Sequence, residues 1–167
     1  MPLSTASATL PPVLVRAAEA EVLSTDPRSV LTLLADAPTT GGAVTSNRSL
    51  FRDGMDGAPP HFHTRAGELL FVLGGRLQVL TGEEVLTLEE GDSLFVPPHT
   101  AHAFGAAAGA DADVLVVFTP GLPRFDYYRL LDRVQRGEAS PEEIRDSQER
   151  FDNHYVDSPA WRQARTS

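Results

Sequence analysis

From Val13 to about Phe118 the apolar residues fall in short alternating or continuous runs, broken by Gly, Pro and Asp. Alternation at a period of two places successive side chains on opposite faces of a strand. The pattern predicts strands over Val13–Arg16, Val30–Leu34, Ala43–Phe51, Pro60–His63, Glu68–Leu73, Arg76–Thr81, Glu84–Leu88, Ser93–Val96, His102–Phe104 and Val114–Phe118. The breaks carry turn chemistry: Gly41-Gly42, Asp53-Gly54, Asp56-Gly57, Gly74-Gly75, Thr81-Gly82 and Glu90-Gly91-Asp92 suit reversals between antiparallel strands. Many short strands at this spacing predict an all-β sandwich or barrel. No repeat of fixed period is visible.

The character changes after Thr119-Pro120-Gly121. Tyr127, Leu130, Leu131 and Val134 follow helical spacing, and Gly137 is a suitable stop. Ser140-Pro141-Glu142-Glu143 has the form of a capping box with proline at the first helical position, and predicts a second helix to about Phe151. The aromatic residues between Phe151 and Trp161 predict a tail docked on the barrel. The expected organisation is a disordered stretch over residues 1–11, a barrel over residues 12–120, and a helical extension with its tail over residues 121–167.

A chain of 167 residues fits one domain. At this size about 70% of the unfolded surface can be buried, so no covalent staple is needed. Cysteine is absent, which excludes disulfides and thiolate metal sites. Lysine is absent too, which excludes Schiff-base chemistry by a side chain. The net charge of −9 argues against nucleic acid or an anionic membrane as partner. The first residues lack the basic start and apolar run of a signal peptide, and no stretch is long enough to span a bilayer, so a cytoplasmic location is expected.

The candidate chemistry lies in two segments. Along Pro60–His63, His61 and His63 point to one side and Phe62 to the other; after a short turn Glu68 opens the next strand on the histidine side. His102 returns from beyond Gly91-Asp92-Ser93-Leu94-Phe95-Val96-Pro97-Pro98. Three imidazoles and one carboxylate on an interior face suit a divalent transition metal, with Fe, Mn, Ni, Co, Cu and Zn all compatible with the donor set. A lone histidine at a strand end is usually structural; four groups at this spacing reverse that expectation. His154, beside Asn153 and Tyr155, reads as a surface or tail-docking residue.

These segments resemble the two signature motifs of the cupin superfamily. His61-x-His63, four residues, Glu68, six residues and Gly75 follow the first, and Gly91, five residues, Pro97 and then His102 follow the second, with His99 where family members usually carry glycine. The likeness runs over roughly residues 40–119. It implies a double-stranded β-helix, or jelly-roll barrel, with His61, His63, Glu68 and His102 as metal ligands. The run from Gly57 to Gly75 looks most like small bacterial quercetin 2,3-dioxygenase-type proteins. That implies Glu68 as both ligand and catalytic base, and a homodimer through barrel edges.

Three functions follow as expectations. The first is a dioxygenase, using dioxygen on a flavonol-like or other enolic, aromatic substrate. The second is a non-redox isomerase, cyclase or decarboxylase. The third is a small-molecule binding protein without turnover. Leu70 and Val72, in register with Glu68, and Phe104, in register with His102, are candidate pocket residues, although ordinary core is the commoner fate of such side chains. His99 is a candidate for the pocket rim, with an exposed turn histidine as the alternative. A small anionic substrate requires an inward cation, and Arg48 is the best candidate. Tyr127 and Tyr128, just after the barrel, are placed to form a lid or to pack on a helix face.

Overall fold

The computed structural model describes residues 9–167. Disorder expected over residues 1–11 therefore lies mostly outside the described residues. The strands are β1 (Val22–Leu23), β2 (Ser29–Leu33), β3 (Thr45–Phe51), β4 (His61–Phe62), β5 (Gly67–Thr81), β6 (Glu84–Glu89), β7 (Ser93–Val96), β8 (His102–Ala106) and β9 (Ala112–Thr119). The helices α1 (Arg124–Gln135), α2 (Pro141–Asp146) and α3 (Gln148–Phe151) follow, then β10 (His154–Tyr155) and α4 (Pro159–Thr166).

All strand pairs are antiparallel, and β5 joins them into a barrel. Its first half pairs with β7 and β9, and its second half with β6 and β8. The change of sheet occurs at a bulge between Val72 and Gly74. Two strands separated by a Gly74-Gly75 reversal were expected; the glycines bend one long strand instead. Gly75 has φ +73°, and a Cβ there would lie 2.0 Å from the Asp111 carbonyl oxygen, so only glycine lets the strand turn this corner.

The two sheets enclose one apolar core built from alternate residues, including Leu70, Val72, Val79, Val114, Val116 and Phe118. β3 shows the alternation plainly: Thr45, Asn47, Ser49 and Phe51 are buried, and Arg48 is exposed. Val13–Arg16 is irregular rather than a strand, with Leu14 71% exposed, because no neighbouring strand pairs with it.

The helical extension covers one end of the barrel. The capping box at Ser140 is present, and the Ser140 backbone N–H donates to Glu143 Oε1 at 3.1 Å. The single helix expected to reach Phe151 divides at Ser147, whose hydroxyl bonds back to the Ile144 carbonyl at 2.8 Å and competes with the helical ladder. α4 starts at Ser158, whose Oγ accepts from the Trp161 N–H at 3.2 Å. Trp161 packs on Leu80 and Ala103. Arg165 then ties α4 to the barrel, donating to Asp56 Oδ1 and to the carbonyl oxygens of Gly54 and Ala106, each at 2.7 Å. Among the described residues no helix is long and apolar enough to cross a membrane.

Candidate metal centre

β4 is only two residues long, yet it is held on both sides: His61 pairs with His102 of β8 and with Tyr155 of β10. The strand sends His61 inward and Phe62 outward, where Phe62 stacks on His154 with ring centroids 5.0 Å apart. His63 turns inward again, and Glu68 enters from the start of β5, opposite Val96 and Phe118. Ligating atoms of His61, His63, Glu68 and His102 lie within 4.8 Å of one another, and all four residues are buried.

The orientation of each imidazole is set by its other nitrogen. Nδ1 of His61 bonds to the Pro59 carbonyl oxygen at 2.7 Å, Nδ1 of His102 to that of Thr100 at 2.8 Å, and Nδ1 of His63 to that of Asp152 at 2.6 Å. A carbonyl oxygen can only accept, so Nδ1 carries the proton and donates in all three rings. In the neutral ring Nε2 is then the lone pair, aimed at the common centre. Glu68 Oε2 stands 3.0 Å from Nε2 of His63 and 2.7 Å from Nε2 of His102.

Lone pairs facing one another at these separations repel unless a proton or a cation lies among them. Burial, reinforced by the neighbouring imidazoles of His102 and His63, holds His61 well below the usual histidine pKa and so neutral. Burial would raise the Glu68 pKa, but His102 and His63 outweigh it and hold the carboxyl well below the usual range. For His102, burial opposes the charge and Glu68 more than offsets it, raising the pKa. Three imidazole nitrogens around an ionised carboxylate form the donor set a divalent transition metal takes, displacing any proton held among them, and the residues fit that group.

One support comes from the helical extension and is not visible in motif spacing. Asp152 ends α3 in the left-handed region (φ 51°, ψ 48°), which turns its carbonyl onto His63. Its buried carboxylate accepts from the backbone N–H of Thr64 at 2.9 Å, the Thr64 hydroxyl at 2.7 Å and the backbone N–H of Arg65 at 2.7 Å. These bonds hold the turn between His63 and Glu68. Burial disfavours the charge on Asp152, but the Thr64, Arg65 and His154 bonds prevail and lower its pKa.

Above the cluster lies a cavity of about 350 Å3. Of the four convergent residues, His61 and Glu68 line it. Phe51, Phe104, Tyr127, Tyr128 and Leu131 form much of its wall. Phe104 thus lies where the strand register predicts. Tyr127 and Tyr128 project from α1 as part of the closing wall, with the Tyr128 hydroxyl donating to Asn47 Oδ1 at 3.0 Å.

Three expectations are corrected. Leu70 and Val72 share the interior face with Glu68, but they sit deeper along β5 in the apolar core and do not line the cavity. His99 is exposed in its turn, with φ 66° and its N–H donating to the His63 carbonyl at 2.7 Å, and it does not line the cavity. The left-handed φ also explains why a glycine suits this position. Arg48 lies on the outer face of β3, paired with Asp113, because the inward places beside it are taken by Asn47 and Ser49. The inward cation is Arg124, at the first turn of α1, 3% exposed and stacked over Tyr127 with its guanidinium carbon 4.3 Å from the ring centroid. Arg124 was missed in the sequence; its nearness to Tyr127-Tyr128, placed there at the end of the barrel, is the one signal that could have found it.

Comparison with known proteins agrees with this architecture. Residues 50–118 match the family described as cupin domain. No curated protein sequence matches the chain. Among solved structures, KdgF from Halomonas sp. superposes with a TM-score of 0.56 at 23% identity, over 66% of this chain and 94% of that one. Hydroxypropylphosphonic acid epoxidase from S. wedmorenis gives 0.52 at 24% identity, over 64% of this chain and 58% of that one. Pac13, a nucleoside dehydratase crystallised with uridine as a Streptomyces protein, gives 0.54 at 16–17% identity, over 70% of this chain and 88% of that one. At these identities the likeness is one of fold. Residues 50–118 thus match the cupin-domain model, and the chain folds as a β-barrel of the cupin kind with a short helical part at its C-terminal end.

Proposed function

We propose that the protein is a metal-dependent enzyme acting on a small organic substrate, with dioxygenation of a flavonol-like or other enolic, aromatic compound as its reaction. The observation that carries this reading is the placement of His61 and Glu68: two of four convergent donors open onto the floor of a cavity with aromatic walls. Its volume of about 350 Å3 falls in the range that small-ligand sites occupy. A divalent transition metal (Fe, Mn, Ni, Co, Cu or Zn) held by His61, His63, Glu68 and His102 would supply Lewis acidity toward a substrate oxygen and, in the redox-active cases, a route for electrons to dioxygen.

The chain's own groups do the rest. Glu68, kept ionised by its histidine neighbours, accepts the enol or phenol proton at a carboxylate oxygen. Phe51 and Phe104, with ring centroids 6.1 Å apart, and the two tyrosines of α1 hold a flat ring and exclude water. The Tyr128 hydroxyl, anchored on Asn47, fixes one wall of the cavity. The Nδ1 bonds keep the three imidazoles from rotating during the reaction.

A second reading, non-redox isomerisation, cyclisation or decarboxylation, is favoured by Arg124, because a buried cation beside Glu68 suits an anionic substrate without any need for oxygen. Oxygen consumption separates the two. Protein loaded in turn with Fe(II), Mn, Co, Ni and Cu is given a panel of flavonols. Metal-dependent oxygen uptake with matching loss of flavonol is the expected result. No uptake with any metal, on protein shown to be loaded, eliminates flavonol dioxygenation.

A further inference from the structure

The buried polar side-chain atoms that find no hydrogen-bond partner among the described residues are Nε and Nη1 of Arg124 and Nδ2 of Asn153. Both residues line the same cavity, the one that His61 and Glu68 floor. Arg124 is 3% exposed and Asn153 2% exposed, so water does not freely replace the missing partners. A buried donor left unpaired costs about 1–3 kcal/mol, and more when charged. Orphan donors gathered at one cavity therefore mark a place where acceptors arrive with a ligand.

The setting of Arg124 sharpens the chemistry. No carboxylate forms a salt bridge with it among the described residues, whereas most other arginines of this acidic chain are paired on the surface. Its guanidinium instead packs among the rings of Phe118, Tyr127 and Tyr128, with its central carbon 4.8, 4.3 and 5.1 Å from their centroids. Aromatic faces hold the plane of the guanidinium and leave its N–H edge for an acceptor. A planar fork of N–H donors matches a carboxylate in two-point contact.

We propose that Arg124, assisted by the Asn153 amide, is the recognition site for a carboxylate group on the substrate, and that the substrate is an enolic or aromatic monocarboxylic acid with an otherwise apolar body. The proposal rests on the metal-dependent reading for the rest of that substrate, whose oxygen is held at the His–Glu cluster. One carboxylate is the right charge: the cavity lining offers one arginine, and Asp56 and Asp132 also line it, which repels a more highly charged anion. The aromatic and aliphatic wall between Phe51 and Leu131 takes the apolar body.

The test compares benzoate with benzamide, a neutral molecule of nearly the same shape, by titration calorimetry on the full chain loaded with zinc. The wild-type protein is expected to bind benzoate about tenfold or more tightly than benzamide. Arg124→Met is expected to reduce that preference to about twofold or less at unchanged zinc content. If Arg124→Met does not fold, Arg124→Lys decides. Keeping the charge without the fork, it is expected to bind benzoate several-fold more weakly while still preferring it to benzamide. A wild-type protein that binds neither probe, or shows no preference, overturns the proposal. So does a preference that survives in Arg124→Met, or unaltered benzoate binding in Arg124→Lys. Zinc content is measured separately: a wild-type protein that takes up no metal defeats the metal reading, while the benzoate preference still reports on Arg124.

Discussion

The floor and the roof of the cavity are built on opposite principles. On the floor, each imidazole is fixed by a hydrogen bond from Nδ1 to a backbone carbonyl, and the donors converge before any ligand arrives. On the roof, α1 and the segment around Asn153 bring polar groups into the cavity without partners. The floor is completed by the protein itself apart from a cation. The roof is left incomplete for a ligand. The difference separates two tasks: donors that must not move are tied to backbone carbonyls beside the strands and, for His63, at the end of α3, while recognition groups are carried by the helical extension and left without partners.

The comparison breaks most strongly at the floor. His102→Ala removes a proposed ligand from the strand that also pairs β4, and is expected to weaken metal binding by more than about 100-fold, above the range for supporting residues. Metal content after dialysis against a chelator, together with far-ultraviolet circular dichroism, checks this. A variant that keeps full metal occupancy shows that the ligand assignment is wrong.

Asp152→Ala probes the point where the extension supports the floor. The variant loses the bonds that hold Thr64 and Arg65, and alanine disfavours the left-handed backbone that aims the Asp152 carbonyl at His63. Metal affinity is expected to fall about 10- to 100-fold. Competition with a chromophoric chelator measures it, and an unchanged affinity would mean that floor and roof are independent.

The smallest effect is expected at His99. Its side chain is exposed, and its positive φ strains any residue but glycine. His99→Gly is expected to leave metal affinity within about twofold, because no metal contact passes through the ring, and to change stability by no more than about 1 kcal/mol, since relief of strain offsets the added freedom of the unfolded chain. Chemical denaturation and the same chelator competition check both. A large loss of metal affinity would place His99 back in the site.

The spacing of His61, His63, Glu68 and His102 was legible because strands have a fixed period: two residues along β4 restore the same face, and short turns keep Glu68 on it. The all-β class and the helical ending were legible for the same reason, since periods of two and of 3.6 are local properties of the backbone. The path of β5 was not. Gly74-Gly75 is compatible with a reversal or a bend, and the choice depends on β9 pairing across the corner, far away along the chain.

What the sequence determined by itself is the barrel class and the four donors, because both follow from short-range periodicity and the chemistry of the side chains. What only the tertiary structure decided is which residues meet those donors. Strand alternation put Arg48 outside and packing depth put Leu70 and Val72 in the core. Burial against the barrel brought Arg124, Asn153 and Asp152 to the site from 22 or more residues beyond His102. Such long-range meetings have no local period to announce them; they exist because the extension buries its aromatic residues and must place its remaining polar groups somewhere.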